Sequence, residues 1–494
     1  MLDANIIPFQ VPLPQVLPNV QGNADYRDLR DLLLRIDGLL VSSGLESQLL
    51  HKELQDWLGK HPKASPKDMQ NHEKHALRAL RCNIARGLIR EEFRGFAARL
   101  ADSPLLQHFC GLSEVESVQV PSKSTLQRYE QWWPEEQVRQ AIEHLLNRGA
   151  DAPGSLHLPE PLDLERAFLD CTCLGANIHY PVDWVLLRDG TRTLMKAVEL
   201  IRGQGLKHRM EEPQSFLRRI NRLCIQMTHA SKKDDSQRQR KKTLRQMDRV
   251  VGVVRQHARR YRELLDQNWQ KTDWTRPQAE QVLRRMDQVL ELLPKARRQA
   301  RQRIIEGRPV ANEEKILSLY EEDVHVIVRG KAGADVEFGN TLFMAENPKG
   351  LIIDWEFFQD SAPADPVLLP RSVGRMQRAY GPKLKELTGD RGFDSQLNRF
   401  GLEEEGIYNA VCPRDPRLLA QRARSWKFNR LQRRRGQTEG RIDIVKNVFL
   451  GGRMRSKGFA HRKLRVTWAV LVHNLWVLAR LQRAAEAKAQ RQAA

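Results

Sequence analysis

Three carboxylates in this chain sit where a folded backbone could set them to chemistry. Asp170 lies in the apolar run AFLDCTC (167–173). A bare carboxylate in such a run is costly unless it is paired or metal-bound; the other readings are a turn cap or a partner for one of the many arginines. Asp390 closes KELTGD, directly before Arg391-Gly392-Phe393. Gly392 permits a tight strand-to-helix turn there, and Asp394 is placed to cap the helix that follows. Glu439 stands in RRRGQTEGRIDIVKNVF. On a helix, Arg435, Glu439, Asp443 and Lys446 share one face by steps of four, four and three. An ordinary salt-bridge stripe has the same pattern. Gly436 and Gly440 argue against it, because they lower helix propensity and open space beside the carboxylate. Hard oxygen ligands of this kind suit Mg²⁺ or Mn²⁺ rather than zinc. Two such ions about 4 Å apart activate an attacking oxygen and stabilise a leaving one in phosphodiester displacement.

The elements that must position these groups are legible from periodicity. Residues 1–25 are proline-rich and read as an extended arm. Apolar residues recur at three- and four-residue steps through 26–155, predicting an all-α region. Within 112–148, Pro121 and Ser122 break the chain, Ser124 can N-cap, and Thr125 and Arg128 fall on the first turns of the next helix. That pattern fits a helix-turn-helix reader of a DNA groove or plain helical packing. AFLDCTC predicts a strand. Residues 191–312 are helical and basic, an insertion after that first strand. Strand character returns in DVHVIVRG (323–330), DVEFGNTLFMAE (335–346), GLIIDWEFFQD (350–360), the KELTGD run and IYNAVCP (407–413), with helices between and after. The expected fold is α/β: a mixed sheet with flanking helices over 160–190 and 313–480, followed by a polar C-terminal tail, 481–494.

Charge points to the partner. Among 494 residues, Lys and Arg number 82 and Asp and Glu 61, a net charge of +21. The excess is concentrated: net +16 over 201–310 and net +14 over 413–465. Two basic blocks on a mildly acidic body suit a polyanion, nucleic acid or an anionic membrane. The proline-broken start lacks a basic n-region and does not read as a signal peptide. Val466 to Ala479 is too short and too polar to span a bilayer and reads as a buried helix. Six cysteines without CxxC spacing argue against a disulfide framework and for a reducing cytoplasm. Cys171 and Cys173, and Trp132 and Trp133, read as core.

These segments together resemble bacterial insertion-sequence DDE transposases with a ribonuclease H-like core. FLDCTC with ANIHYPVDWVLL is similar to the first-Asp block of that family. VRGKAGADVEFGNTLFMAE through LTGDRGFDS is similar to the second. RRRGQTEGRIDIVKNVFLGGRMRSKGF is similar to the Glu helix. Arg435-x3-Glu439-x6-Lys446 matches most of a Tyr-Arg-Glu-Lys signature, with Gln432 at the Tyr position. The resemblance covers 115–480. It implies Asp170, Asp390 and Glu439 as catalytic metal ligands for Mg²⁺ (Mn²⁺ substituting) in a pair of ions, with Asp183 and Asp443 as rivals. It implies DNA contacts at Arg435 and Lys446, to which charge and position add Arg441, Thr125 and Arg128. The implied activity is cutting of double-stranded DNA at terminal inverted repeats and joining of the 3′ hydroxyl to target DNA, by a homodimer or higher assembly, at the nucleoid and without a membrane. The alternative is a catalytically inactive DNA-binding descendant.

Overall fold

The structure is a computed structural model and describes residues 19–112, 118–230, 235–331 and 334–493. Most of the expected N-terminal arm lies outside the described residues, and its last two residues already belong to helix α1 (Ala24–Ser43). The helical periodicity continues as α2 (Leu45–Lys60), α3 (Pro66–Ile89), α4 (Phe93–Asp102), α5 (Pro104–Phe109), α6 (Lys123–Glu130) and α7 (Glu135–Ala150). Ser65 and Asp68 close a capping box on α3, with Pro66 at its first position. The cap of α6 is Ser122, not Ser124: the Ser122 hydroxyl accepts from Thr125 N, whereas Ser124 is already inside the helix, past the free N–H groups it would have to reach. Residues 113–117 of the expected helix-turn-helix lie outside the described residues, and 118–122 are not helical.

Strand β1 (Arg166–Gly175) follows, then four basic helices: α8 (Asp183–Gly203), α9 (Pro213–Ala230), α10 (Ser236–Asn268) and α11 (Arg276–Ala300). They begin at Asp183 rather than 191. Next come β2 (His325–Lys331), β3 (Ala334–Glu346), β4 (Ile352–Phe357), α12 (Asp365–Tyr380), β5 (Glu386–Thr388), α13 (Gln396–Glu404), β6 (Tyr408–Asn409), α14 (Pro416–Arg422), α15 (Trp426–Asp443) and α16 (Phe459–Ala493). The described chain is mixed α/β, 66% helical, with one mixed sheet of six strands. The strand order is β2-β3-β1-β5-β6, with β4 also paired to β3. The β2–β3 and β3–β4 pairs are antiparallel, and β1–β5 and β5–β6 are parallel.

The chain divides into two compact units. One comprises Met1–Thr172, Leu342–Phe357 and Pro363–Ala494, and holds all three candidate carboxylates. The other comprises Cys173–Thr341 and Phe358–Ala362. In the second unit α8 to α11 share one apolar core, including Leu194, Ile220, Met247, Val254, Tyr261 and Leu293. Asp183, at the start of α8, is buried there and accepts from Arg303 and Gln299.

In the first unit α16 lies against β4, and its most apolar stretch is buried as expected. Asn474 explains the polar residue within that stretch. Its Oδ1 accepts from Ile352 N and its Nδ2 donates to Ile352 O, both at 2.9 Å, which satisfies both backbone groups of the first residue of β4. Residues 481–493 are the last turns of α16 rather than a tail: Gln482 donates to Leu156 O, and Arg35 makes two 2.6 Å bonds to Glu486. Among the described residues no helix is long and apolar enough to cross a membrane.

Helix α15 is fixed to the sheet by a buried carboxylate. Glu346, at the end of β3, accepts from Arg434 Nη1 at 2.9 Å and from Thr438 Oγ1 at 2.8 Å, and stands 3.5 Å from Arg441 Nε. Gln432 Nε2 donates to the carbonyls of Gly389 and Ala410, tying the same helix to the ends of β5 and β6. Removing one partner of a buried pair strands the other charge. Glu346→Ala is therefore expected to lower the unfolding free energy by about 3–5 kcal/mol in urea titrations; a loss within about 0.5 kcal/mol of zero, as at ordinary surface sites, would contradict this anchoring.

Candidate active site

Register sets the first two carboxylates side by side. Strands β1 and β5 run parallel with Phe168 opposite Thr388. Asp170 and Asp390 each lie two residues further along. Side chains alternate with a period of two, so Asp170, in the middle of β1, and Asp390, just past the end of β5, project to the same face. Backbone N–H groups orient each: Asp170 Oδ1 accepts from Cys171 N at 2.7 Å, and Asp390 Oδ1 from Gly392 N at 2.8 Å. The second bond closes the 3₁₀ turn Arg391–Phe393.

Glu439 arrives from α15, next to the anchored Thr438. It is exposed, and no hydrogen bond or ion pair holds it among the described residues. Arg435 lies one turn earlier on the same helix, and its Nε is buried without a hydrogen-bond partner. The field of this group is felt at Asp170. Burial first, then like-charge repulsion from Asp390 and Glu439, raises the Asp170 carboxyl to about 6 against the opposing Cys171 N–H and Arg435 guanidinium. Asp170, Asp390 and Glu439 thus share one electrostatic neighbourhood, and none of them makes an ion pair among the described residues.

A fourth carboxylate stands beside them and escaped sequence reasoning. Asp365 opens α12, and burial raises its pKa, with Asp390 adding repulsion. A Cβ on Gly392 would come within 2.4 Å of Asp365 Oδ2 and 2.9 Å of Asp390 Oδ1. Gly392 is needed for the space between two acids, rather than for backbone freedom alone. The only sequence signal for Asp365 was an Asp-Pro pair at a helix start, which reads as a cap. Cys171 is not simple core: its thiol faces Asp365, and burial raises its pKa well above the ordinary thiol range.

Other expected residues take other places. Arg441 turns to buried Glu346 and is itself half-buried, with its pKa lowered by burial. The expected common face ends at Asp443, because residues Ile444–Phe449 form a π-helical turn, and Lys446 lies in that turn. Asp443 accepts from Asn447. Asp183 is in the second unit, engaged with Arg303. Asp394 does not cap α13; Ser395 does, and Asp394 instead holds Arg399 and the Arg414 N–H. Thr125 and Arg128 lie on the outer side of α6, with Arg128 donating to Thr125 at 3.2 Å. Trp133 is core, fully buried.

The donor set is all oxygen at its centre, as Mg²⁺ or Mn²⁺ prefers. A desolvated carboxylate with its pKa raised by two neighbouring acids is a group that a cation would relieve. Among the described residues no three His, Cys, Asp or Glu side chains already stand close enough to enclose an ion. Coordination by all three would require their side chains to close together.

Asp170 binds a proton more tightly in the folded than in the unfolded chain. Its contribution to stability is therefore whole below the ordinary value of 3.8 and is lost as pH rises through about 6. In EDTA, Asp170→Asn and wild type are expected to unfold alike near pH 3.5. At pH 8 the variant is expected to be more stable by on the order of 2–3 kcal/mol, and equal stability there would contradict the burial argument. In comparisons with known proteins, no family model, no curated protein and no solved structure matches this chain.

Proposed function

We propose that this chain is a metal-dependent DDE transposase of an insertion sequence, with Asp170, Asp390 and Glu439 as its catalytic acids. The observation that carries the reading is the meeting of these acids, without ion pairs among the described residues and in one field, from two adjacent parallel strands and one anchored helix. The mixed sheet supports a ribonuclease H-like core: antiparallel strands lie to one side of β1 and parallel strands to the other.

In this reading Asp170 and Asp390 form the fixed floor of the site, each oriented by a backbone N–H. Glu439 closes onto them from the helix. Asp170, Asp390 and Glu439 would hold a pair of Mg²⁺ ions, or Mn²⁺, which would supply Lewis acidity to a phosphodiester. Arg435 presents a cation to the DNA backbone beside the acids, and Lys446 adds another from the π-helical turn. The helices of 26–155, with Arg128 exposed and Thr125 part-buried on α6, read the terminal inverted repeats of double-stranded DNA. A homodimer or higher assembly brings two ends together in the cytoplasm, at the nucleoid, and the freed 3′ hydroxyl is joined to target DNA. Gln432 stands where the related signature has Tyr. It is spent on two backbone carbonyls, so phosphate contact falls to Arg435 and Lys446.

The second reading is an inactive DNA-binding descendant. It is favoured by the one feature that stops short of a site, the lack of a ready-made three-ligand cluster among the described residues.

The deciding experiment is excision and integration of a marked donor carrying the DNA that flanks this gene. Wild type is expected to excise only with Mg²⁺ or Mn²⁺. Asp390→Ala is expected to lose more than the about 10–100-fold that an outer-shell substitution costs at a metal site. Binding of the ends without cleavage under either metal would favour the inactive descendant.

A further inference from the structure

The second unit carries a separate charged surface. On α10 the apolar residues Leu244, Met247, Val251, Val254, Ala258, Tyr261 and Leu265 recur at alternating steps of three and four, and all are buried in the four-helix core. Diametrically opposite run Arg238, Lys242, Arg245, Arg249 and Arg260, all exposed. At 1.5 Å per residue this row extends for about 33 Å.

The row combines regular spacing with a lack of acidic partners. Some other surface cations of this unit do have them: Arg262 holds Asp266 and Asp287, Arg276 holds Glu280, and Lys295 holds Glu291. The five cations of the row have no ion pair among the described residues. Cations crowd one another on the neighbouring face as well, where Arg259 and Arg297 help lower the pKa of Arg255. A line of unneutralised, mutually repelling charges is stabilised by a polyanion that brings its own regular negative charge. The only aromatic residue of α10, Tyr261, is buried. The row therefore offers no stacking platform for unpaired bases, and a backbone-tracking contact with a duplex suits it better than a single strand. Its length matches one turn of B-form DNA, about 34 Å.

We propose that the outward row of α10 is a second, sequence-independent docking surface for duplex DNA, separate from the carboxylate site. It builds on the DNA reading above but needs none of the chemistry, so it can be tested without divalent metal. The full-length protein is titrated with a labelled random-sequence duplex of about 30 base pairs in EDTA over a range of KCl concentrations. Wild type is compared with R238Q/K242Q/R245Q/R249Q. A control, R219Q/R276Q/K295Q/R308Q, removes the same charge from ion-paired positions of the same unit.

Each phosphate contact contributes about 0.9 to the slope of log affinity against log salt. The row variant is expected to lose about three to four units of slope and at least tenfold in affinity near physiological salt, with its melting temperature unchanged. The control is expected to stay within about one unit of wild type. Equal losses in both variants would assign the effect to diffuse net charge and overturn the proposal. An unchanged row variant would overturn it too. So would a row variant that loses binding to phosphatidylserine vesicles while keeping duplex binding, which would make the surface a membrane contact. Binding with no cleavage under any metal would count against the transposase reading and leave this surface standing.

Discussion

The burial of Glu346 is the constraint on which the site geometry rests. A carboxylate at 2% exposure cannot stay charged without close partners. Its partners Arg434, Thr438 and Arg441 all come from α15. Two arginines and a hydroxyl about one helical turn apart, converging on one carboxylate, fix the rotation of that helix about its axis. With Thr438 turned to the sheet, Glu439 falls beside Arg435 on the side that raises the pKa of Asp170. The Gln432 bonds to Gly389 and Ala410 set the helix against the strand ends. Glu439 owes its position to contacts that it does not itself make.

The sheet does the same for the two aspartates at lower cost. Parallel pairing of β1 with β5 requires no charged anchor, because ladder hydrogen bonds and alternation settle which side chains become neighbours. The resulting crowding is expensive, as the elevated pKa values of Asp170 and Asp365 indicate. Strain of this kind is tolerated where the surroundings over-determine the geometry, and it gathers at functional sites. Elsewhere in the same unit buried acids are neutralised in the ordinary way, Asp354 by Arg375 and Asp394 by Arg399. Among the described residues the three proposed catalytic acids have no such partner, and neither has Asp365 beside them.

Much of this was legible in the sequence because it depended on short-range pattern. The strand around Asp170, the helix carrying Glu439, the basic helical segment and the burial of Val466 to Ala479 all follow from local periodicity. What stayed hidden depended on distant partners. Arg441 was expected at DNA, since nothing near it in the chain announces Glu346 as its partner. Asp365 is brought to Asp390 by α12 docking on the sheet, and its Asp-Pro setting carries no sign of that. Stepping off by 3.6 residues from Glu439 to Lys446 failed because the helix widens after Asp443, a π-helical turn that no residue type there betrays. The choice of Ser122 over Ser124 as a cap turned on one backbone conformation, and Ser395 over Asp394 likewise.

The unequal tethering of the three acids has a consequence for timing. Asp170 and Asp390 are each held by a backbone amide, while Glu439 has no hydrogen bond among the described residues and stands on a helix clamped at both the sheet and the strand ends. The backbone around the site is already set, so its completion is left to the torsions of one exposed side chain. Exposed rotamers exchange in picoseconds to nanoseconds, whereas lid and loop closures take microseconds to milliseconds. On the proposed DNA reading, a site finished this way would not wait for the protein, and the slow steps of its cycle would belong to the gathering and release of the polymer.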